Sequence, residues 1–85
     1  MNKFEYTIKD KLGIHARPAG MLAKKAKEFE SVITIRKGEK EVNAAKIMAL
    51  MSLGVKCGDN VAITAEGPDE DRAIQQMKDF FEANL

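Results

Sequence analysis

Apolar and polar positions alternate along this chain with two different periods. In "KFEYTIK", residues 3–9, Phe4, Tyr6 and Ile8 fall on one side while Lys3, Glu5, Thr7 and Lys9 fall on the other. That period of two predicts a half-buried strand. From Ala16 to Phe29 the spacing lengthens to three and four: Leu22, Ala26 and Phe29 form a stripe with Ala19 and Ala23 beside it, and Lys24, Lys25, Lys27 and Glu28 cover the outer side. This is the signature of an amphipathic helix. Pro18 suits its first turn, where a missing amide hydrogen has no helical partner to lose. "SVITIRKGEKEVN" predicts a hairpin, with Ile33 and Ile35 alternating with Thr34 and Arg36 and Gly38 in the turn. "AAKIMALMSLG" predicts a short helix that Gly54 ends in the left-handed conformation. "NVAITAE" is a further alternating strand, with Val61, Ile63 and Ala65 on one face. "GPDEDRAIQQMKDFFEAN" predicts a closing helix with Asp69 as N-cap, acidic residues in the first turn, and a stripe of Ile74, Met77 and Phe81.

The resulting order is β-α-β-β-α-β-α. Strands with one polar face suggest an open antiparallel sheet that carries all helices on its other face, an α+β two-layer sandwich. No repeat or Pro/Ser-rich linker interrupts the pattern, so residues 1–85 read as a single domain. Composition supports this, with 45% apolar and 32% charged residues. A net charge of +1, with no basic run and no tryptophan, argues against a nucleic-acid partner. "MNKFEYTIKD" has no apolar core of signal-peptide length, and no run approaches a membrane span, so a soluble cytoplasmic protein without membrane insertion is expected. Cys57 stands alone, which leaves no disulfide framework, and one histidine with one cysteine makes a poor metal site.

The second helix is more apolar than one core-facing stripe requires. Leu50 and Leu53 with Ile47 supply such a stripe, which leaves Met48 and Met51 facing outward or sideways. Full burial in a small core is one reading. An adaptable exposed patch for partners is the other.

The candidate chemistry lies in "LGIHARPAG", which holds the chain's one histidine. His15 falls where the first strand has ended and a helix begins. The first amides of a helix lack intrahelical acceptors, and the helix dipole is positive there, so an anion is stabilised at that point. Arg17 adds paired donors matched to a phosphate or carboxylate, and Gly13 gives the backbone freedom for a tight approach. Imidazole is a nucleophile whose neutral form is available near cellular pH. The combination suggests phosphoryl transfer through phosphohistidine. The plainer reading is a polar helix-start residue beside a solvated arginine. A hydrolase is disfavoured because the chain has no nucleophile elbow and little room for a substrate pocket.

"GIHARPAG" followed by "KIMALMSLG" and "AEGPDEDRAIQQM" resembles the histidine-containing phosphocarrier (HPr) family of bacterial sugar phosphotransferase systems, over essentially the whole chain. The resemblance implies an open-faced β-sandwich whose four-stranded antiparallel sheet has the order 1-4-2-3 under three helices. It implies a carrier, not an enzyme, that accepts a phosphoryl group from phosphorylated Enzyme I and passes it to the A domains of sugar permeases. His15 matches the phosphorylated residue, which in the family reacts through Nδ1, and Arg17 matches the arginine that neutralises the phosphate, with Ala16 between them in the phosphate-binding set. Ile47, Met48 and Met51 match the partner-docking patch, with Gly20, Lys24 and Lys27 as its neighbours on the first helix. No cofactor of its own is implied, since Mg²⁺ and phosphoenolpyruvate belong to Enzyme I, and a monomer is expected because transfer needs the active face uncovered. One position departs: Lys46 stands where Gram-positive members carry a regulatory serine, so phosphorylation by their dedicated kinase is not expected. The runner-up is an HPr-like paralogue in a regulatory chain, for example a nitrogen-related one, or a binding-only regulator. Members of the latter kind lose the histidine that this chain keeps.

Overall fold

A computed structural model describes all 85 residues, with the elements β1 (Asn2–Thr7), α1 (Ala16–Ala26), β2 (Val32–Lys37), β3 (Lys40–Asn43), α2 (Ile47–Ser52), β4 (Asn60–Glu66) and α3 (Glu70–Asn84). The strands form one antiparallel sheet in the order β1-β4-β2-β3. Register follows the alternation in the sequence. Ile35 pairs with Ile63 and Ile33 with Ala65, and all four are buried beneath the helices. Thr34 lies opposite Thr64 on the other face, where the two hydroxyls hydrogen-bond.

A single cluster of 21 buried residues fills the space between sheet and helices. Phe81 of α3 is fully buried and meets Phe4, Tyr6 and Phe80 edge-on, at centroid distances of 5.8, 5.5 and 6.1 Å. This geometry is favoured by the aromatic quadrupole. The stripes expected on α1 and α3 are the buried ones: Ala19, Leu22, Ala23 and Ala26 on the first, Ile74, Met77 and Phe81 on the second.

Element ends differ from the expected ones where distant residues intervene. α1 stops at Ala26, not Phe29, because the chain tightens into i→i+3 bonds from Glu28 to Lys25 and from Phe29 to Ala26. The amides of Glu30 and Ser31 then donate to the Asp69 carboxylate at 3.0 and 2.9 Å. That contact corrects the role expected of Asp69. It occupies the N-cap position of α3 but makes no cap bond, since its oxygens are spent on Glu30, on Ser31 and on the Ser31 hydroxyl. β1 ends at Thr7, yet Ile8 stays buried and exchanges backbone bonds with the Gly58–Asp59 turn. α2 begins only at Ile47, because the Asn43 side chain accepts the Ala45 amide at 2.8 Å and holds the preceding residues in a turn. Ile47 itself is 42% exposed and belongs to the surface, not to the core stripe that Leu50 and Leu53 supply.

Candidate functional site

The segment before His15 is held from three sides. The Asp10 side chain accepts the Leu12 amide at 2.8 Å and its carbonyl accepts the Gly13 amide at 3.0 Å. Ile14 donates to the Val55 carbonyl at 3.1 Å, and the amides of Lys9 and Asp10 both donate to the Leu85 carbonyl oxygen. Gly13 has φ +69°, and a Cβ there would stand 2.2 Å from the Val55 carbonyl oxygen. Only glycine serves at a left-handed residue packed so tightly on backbone.

This path delivers His15 to the N-cap of α1 in extended conformation (φ −102°, ψ −173°), its carbonyl accepting the Ala19 amide. The imidazole makes no capping bond. Ala16 and Arg17 follow with amides that have no backbone acceptor, and Pro18, buried in the first turn, has none to offer. No acidic residue occupies that turn, so the positive end of the helix is left uncompensated. An open depression of about 190 Å³ lies over these groups, lined by Asp10, His15, Arg17, Pro18, Met21, Ala83 and Asn84. The chain's ion pairs are Met1–Glu70, Lys25–Glu28, Lys37–Asp59 and Arg72–Asp69, so the Arg17 guanidinium is unengaged. A half-buried imidazole and a free guanidinium therefore line one open depression at a helix N-terminus whose first two amides are free, a setting suited to an oxyanion.

α1 and α2 pack against each other, which brings their outward faces together. Met48 is 79% exposed, and Met51 and Ile47 are each 42% exposed. The outward reading of the methionines holds, and burial does not. Lys24 and Lys27 are exposed on α1, and Gly20, between them and Arg17, faces open space, with no atom within 4 Å of the point where a methyl group would stand. Lys46 occupies the N-cap position of α2 and makes no side-chain cap bond. At the other end of that helix, Lys40 donates to the Ser52 carbonyl at 2.8 Å and Lys37 to the Gly54 carbonyl at 2.9 Å while pairing with Asp59 at 3.0 Å. The β2–β3 hairpin thus fastens the C-terminal end of α2, as cations do at that pole.

Sequence reasoning missed Asp10, Met21, Ala83 and Asn84. Met21, 39% exposed, was signalled by an apolar residue four positions after Arg17 on an otherwise polar helix face. Ala83 and Asn84 had no local signal, because the Leu85 carbonyl brings them to the His15 loop from the far end of the chain.

A family model described as the PTS HPr component phosphorylation site matches residues 2–83. The phosphocarrier protein HPr of Mycoplasma capricolum is 49% identical over 78 residues, covering 92% of this chain and 88% of its own. A solved mycoplasmal histidine-containing phosphocarrier protein superposes with a TM-score of 0.90 at 47% identity, covering 93% of this chain and 90% of its own. HPr of Thermoanaerobacter tengcongensis gives a TM-score of 0.93 at 44% identity over 98% of this chain and 93% of its own, and it has also been solved as a dimer. The chain belongs to the HPr family of phosphotransferase-system phosphocarrier proteins.

Proposed function

We propose that the chain is a phosphocarrier that takes a phosphoryl group onto His15 from phosphorylated Enzyme I and surrenders it to sugar-specific A domains. The observation that carries this reading is the convergence of the unbonded His15 imidazole, the acceptor-free Ala16 and Arg17 amides and the unpaired Arg17 side chain at one helix N-terminus. A neutral ring nitrogen attacks phosphorus as the donor's bond to it breaks, and the electron pair of that bond returns to the donor. The reverse displacement passes the group on. Fixed amides and Arg17 stabilise the equatorial oxygens without enclosing them, so a large acceptor reaches the same phosphorus.

Residues 1–85 act as one domain in this role, in the cytoplasm and as a monomer, with Gly20, Lys24, Lys27, Ile47, Met48 and Met51 forming the docking face around the site. No helix of the chain is long and apolar enough to cross a membrane. The protein turns over no metabolite alone; the transfer is completed by its partners.

The test is intact-protein mass after incubation with phosphoenolpyruvate, Mg²⁺ and catalytic Enzyme I. An acid-labile gain of one phosphate, absent in His15→Ala, is the expected result, and no gain in the wild type overturns it. Arg17→Ala is expected to slow the transfer without moving the unfolding midpoint; an unchanged rate would remove Arg17 from phosphate binding.

A further inference from the structure

The depression over His15 is lined by an acidic residue as well as by a cation. Asp10 lines it together with His15, Arg17 and Asn84. Its position is fixed: the amide donates to Leu85, the carbonyl accepts from Gly13, and one carboxylate oxygen accepts from Leu12. It takes part in none of the chain's ion pairs. Its sequence neighbours do not offset it within the depression. Lys9 lies 6.0 Å over the Tyr6 ring, and neither Lys9 nor Lys11 lines the site. Among the residues that line the depression with His15, Arg17 and Asp10 carry the charged side chains, and Asn84 is neutral.

We propose that Asp10 tunes the carrier's phosphoryl-transfer potential. The inference rests on the phosphocarrier reading of His15. When the N–P bond forms at His15 and the donor's bond to phosphorus breaks, a dianion enters a depression of about 190 Å³ that Asp10 also lines. Arg17 and the helix amides attract the phosphoryl oxygens, and Asp10 repels them. The repulsion exists only in the phosphorylated state, so it favours departure of the group and leaves the empty carrier unaffected. A carboxylate and a dianion sharing one depression, screened mainly by water, shift the equilibrium by about three- to tenfold at low salt and by less at high salt.

Asp10→Asn isolates the charge, because its amide oxygen still accepts the Leu12 amide. Phosphorylated wild type is mixed with an equal amount of unphosphorylated Asp10→Asn and catalytic Enzyme I, without phosphoenolpyruvate. The equilibrium distribution is read by charge-resolving electrophoresis at low and high salt, and thermal unfolding checks that the variant is folded. The expected result is accumulation of phosphate on Asp10→Asn by about three- to tenfold, narrowing as salt rises. A distribution within twofold of equal at low salt, or a bias that salt does not alter, overturns the proposal. A parallel exchange between two wild-type samples, one isotopically labelled, separates the two levels: no exchange there sinks the phosphocarrier reading itself.

Discussion

Met48 and Leu50 lie two residues apart on α2, and their surroundings predict opposite consequences of substitution. Leu50 has no exposed surface and packs in the core, whereas Met48 is 79% exposed. Truncating a fully buried leucine to alanine removes transfer free energy and leaves a cavity, at a cost of about 2–5 kcal/mol. In a domain of this size each kcal/mol moves the midpoint by about 4–8 °C, so Leu50→Ala is expected to lower Tm by roughly 8 to 40 °C. Met48→Asp empties no cavity. Aspartate has a poorer helix propensity than methionine, by about 0.5 kcal/mol, but at the second residue of a helix its charge gains about 0.3–1 kcal/mol from the dipole. The two nearly cancel, and Tm should move by no more than about 4 °C. Binding responds differently. Burying a methionine side chain at an interface is worth about 1.5–3 kcal/mol, so its loss raises the Enzyme I Kd by roughly ten- to a hundredfold. Calorimetric titration against Enzyme I, beside thermal unfolding followed by circular dichroism, reads both quantities on both variants. A fall in Tm of more than about 10 °C for Met48→Asp would mean that the residue supports the fold. An affinity within about twofold of wild type would remove α2 from the docking face.

Three further outcomes follow from local geometry. The Ser31 hydroxyl, with the Glu30 and Ser31 amides, holds the Asp69 carboxyl down to about 2 from an ordinary 3.8. A folded value below the unfolded one contributes stability that is present above pH ~4 and lost as pH falls toward ~2. Asp69→Asn should therefore lower the urea midpoint at neutral pH, with the gap to wild type closing through that window; a gap that stays constant would count against the carboxylate's role. Gly13→Ala puts a methyl 2.2 Å from the Val55 carbonyl oxygen at φ +69°, so urea unfolding should register a loss of at least about 2 kcal/mol. Gly20 sits inside α1 with open space around it, so Gly20→Ala should gain about 1 kcal/mol and raise Tm by about 4–8 °C.

What could be read from the sequence is what local periodicity controls. β4 spans Asn60–Glu66 as its alternation indicates, because its inward positions Val61, Ile63 and Ala65 have one possible face to bury. The end of α1 was illegible for the opposite reason. Lys27, Glu28 and Phe29 continue the helical pattern, and what turns the chain is a carboxylate 38 to 39 residues further on. Asp69 was recognisable as a residue suited to a helix start, yet the competition between its own helix and the Glu30–Ser31 amides is a tertiary matter. The site divides along the same line. His15, Ala16 and Arg17 are consecutive, so a strand-to-helix junction suffices to bring their groups together. The remaining wall comes from Asp10, Ala83 and Asn84, joined only when the Leu85 carbonyl accepts two amides across the fold.

The division of labour among polar side chains has a consequence for how the site can vary. Asp69, Ser31, Asn43, Lys37 and Asp59 are committed to hydrogen bonds or ion pairs that hold loops and helix ends. The side chains of His15, Arg17, Lys24, Lys27 and Met48 make none, so the fold gains little from them, and under the proposed function substitutions there should alter transfer or docking at small cost in stability. Asp10 belongs to both groups, since it fixes the loop and also lines the depression over the imidazole. A structural demand on Asp10 is met by any acceptor at that oxygen, and asparagine provides one. Its charge is therefore free to vary without disturbing the loop, so under the proposed function this is a position where the affinity of the site for a phosphoryl group can be adjusted while the fold is kept.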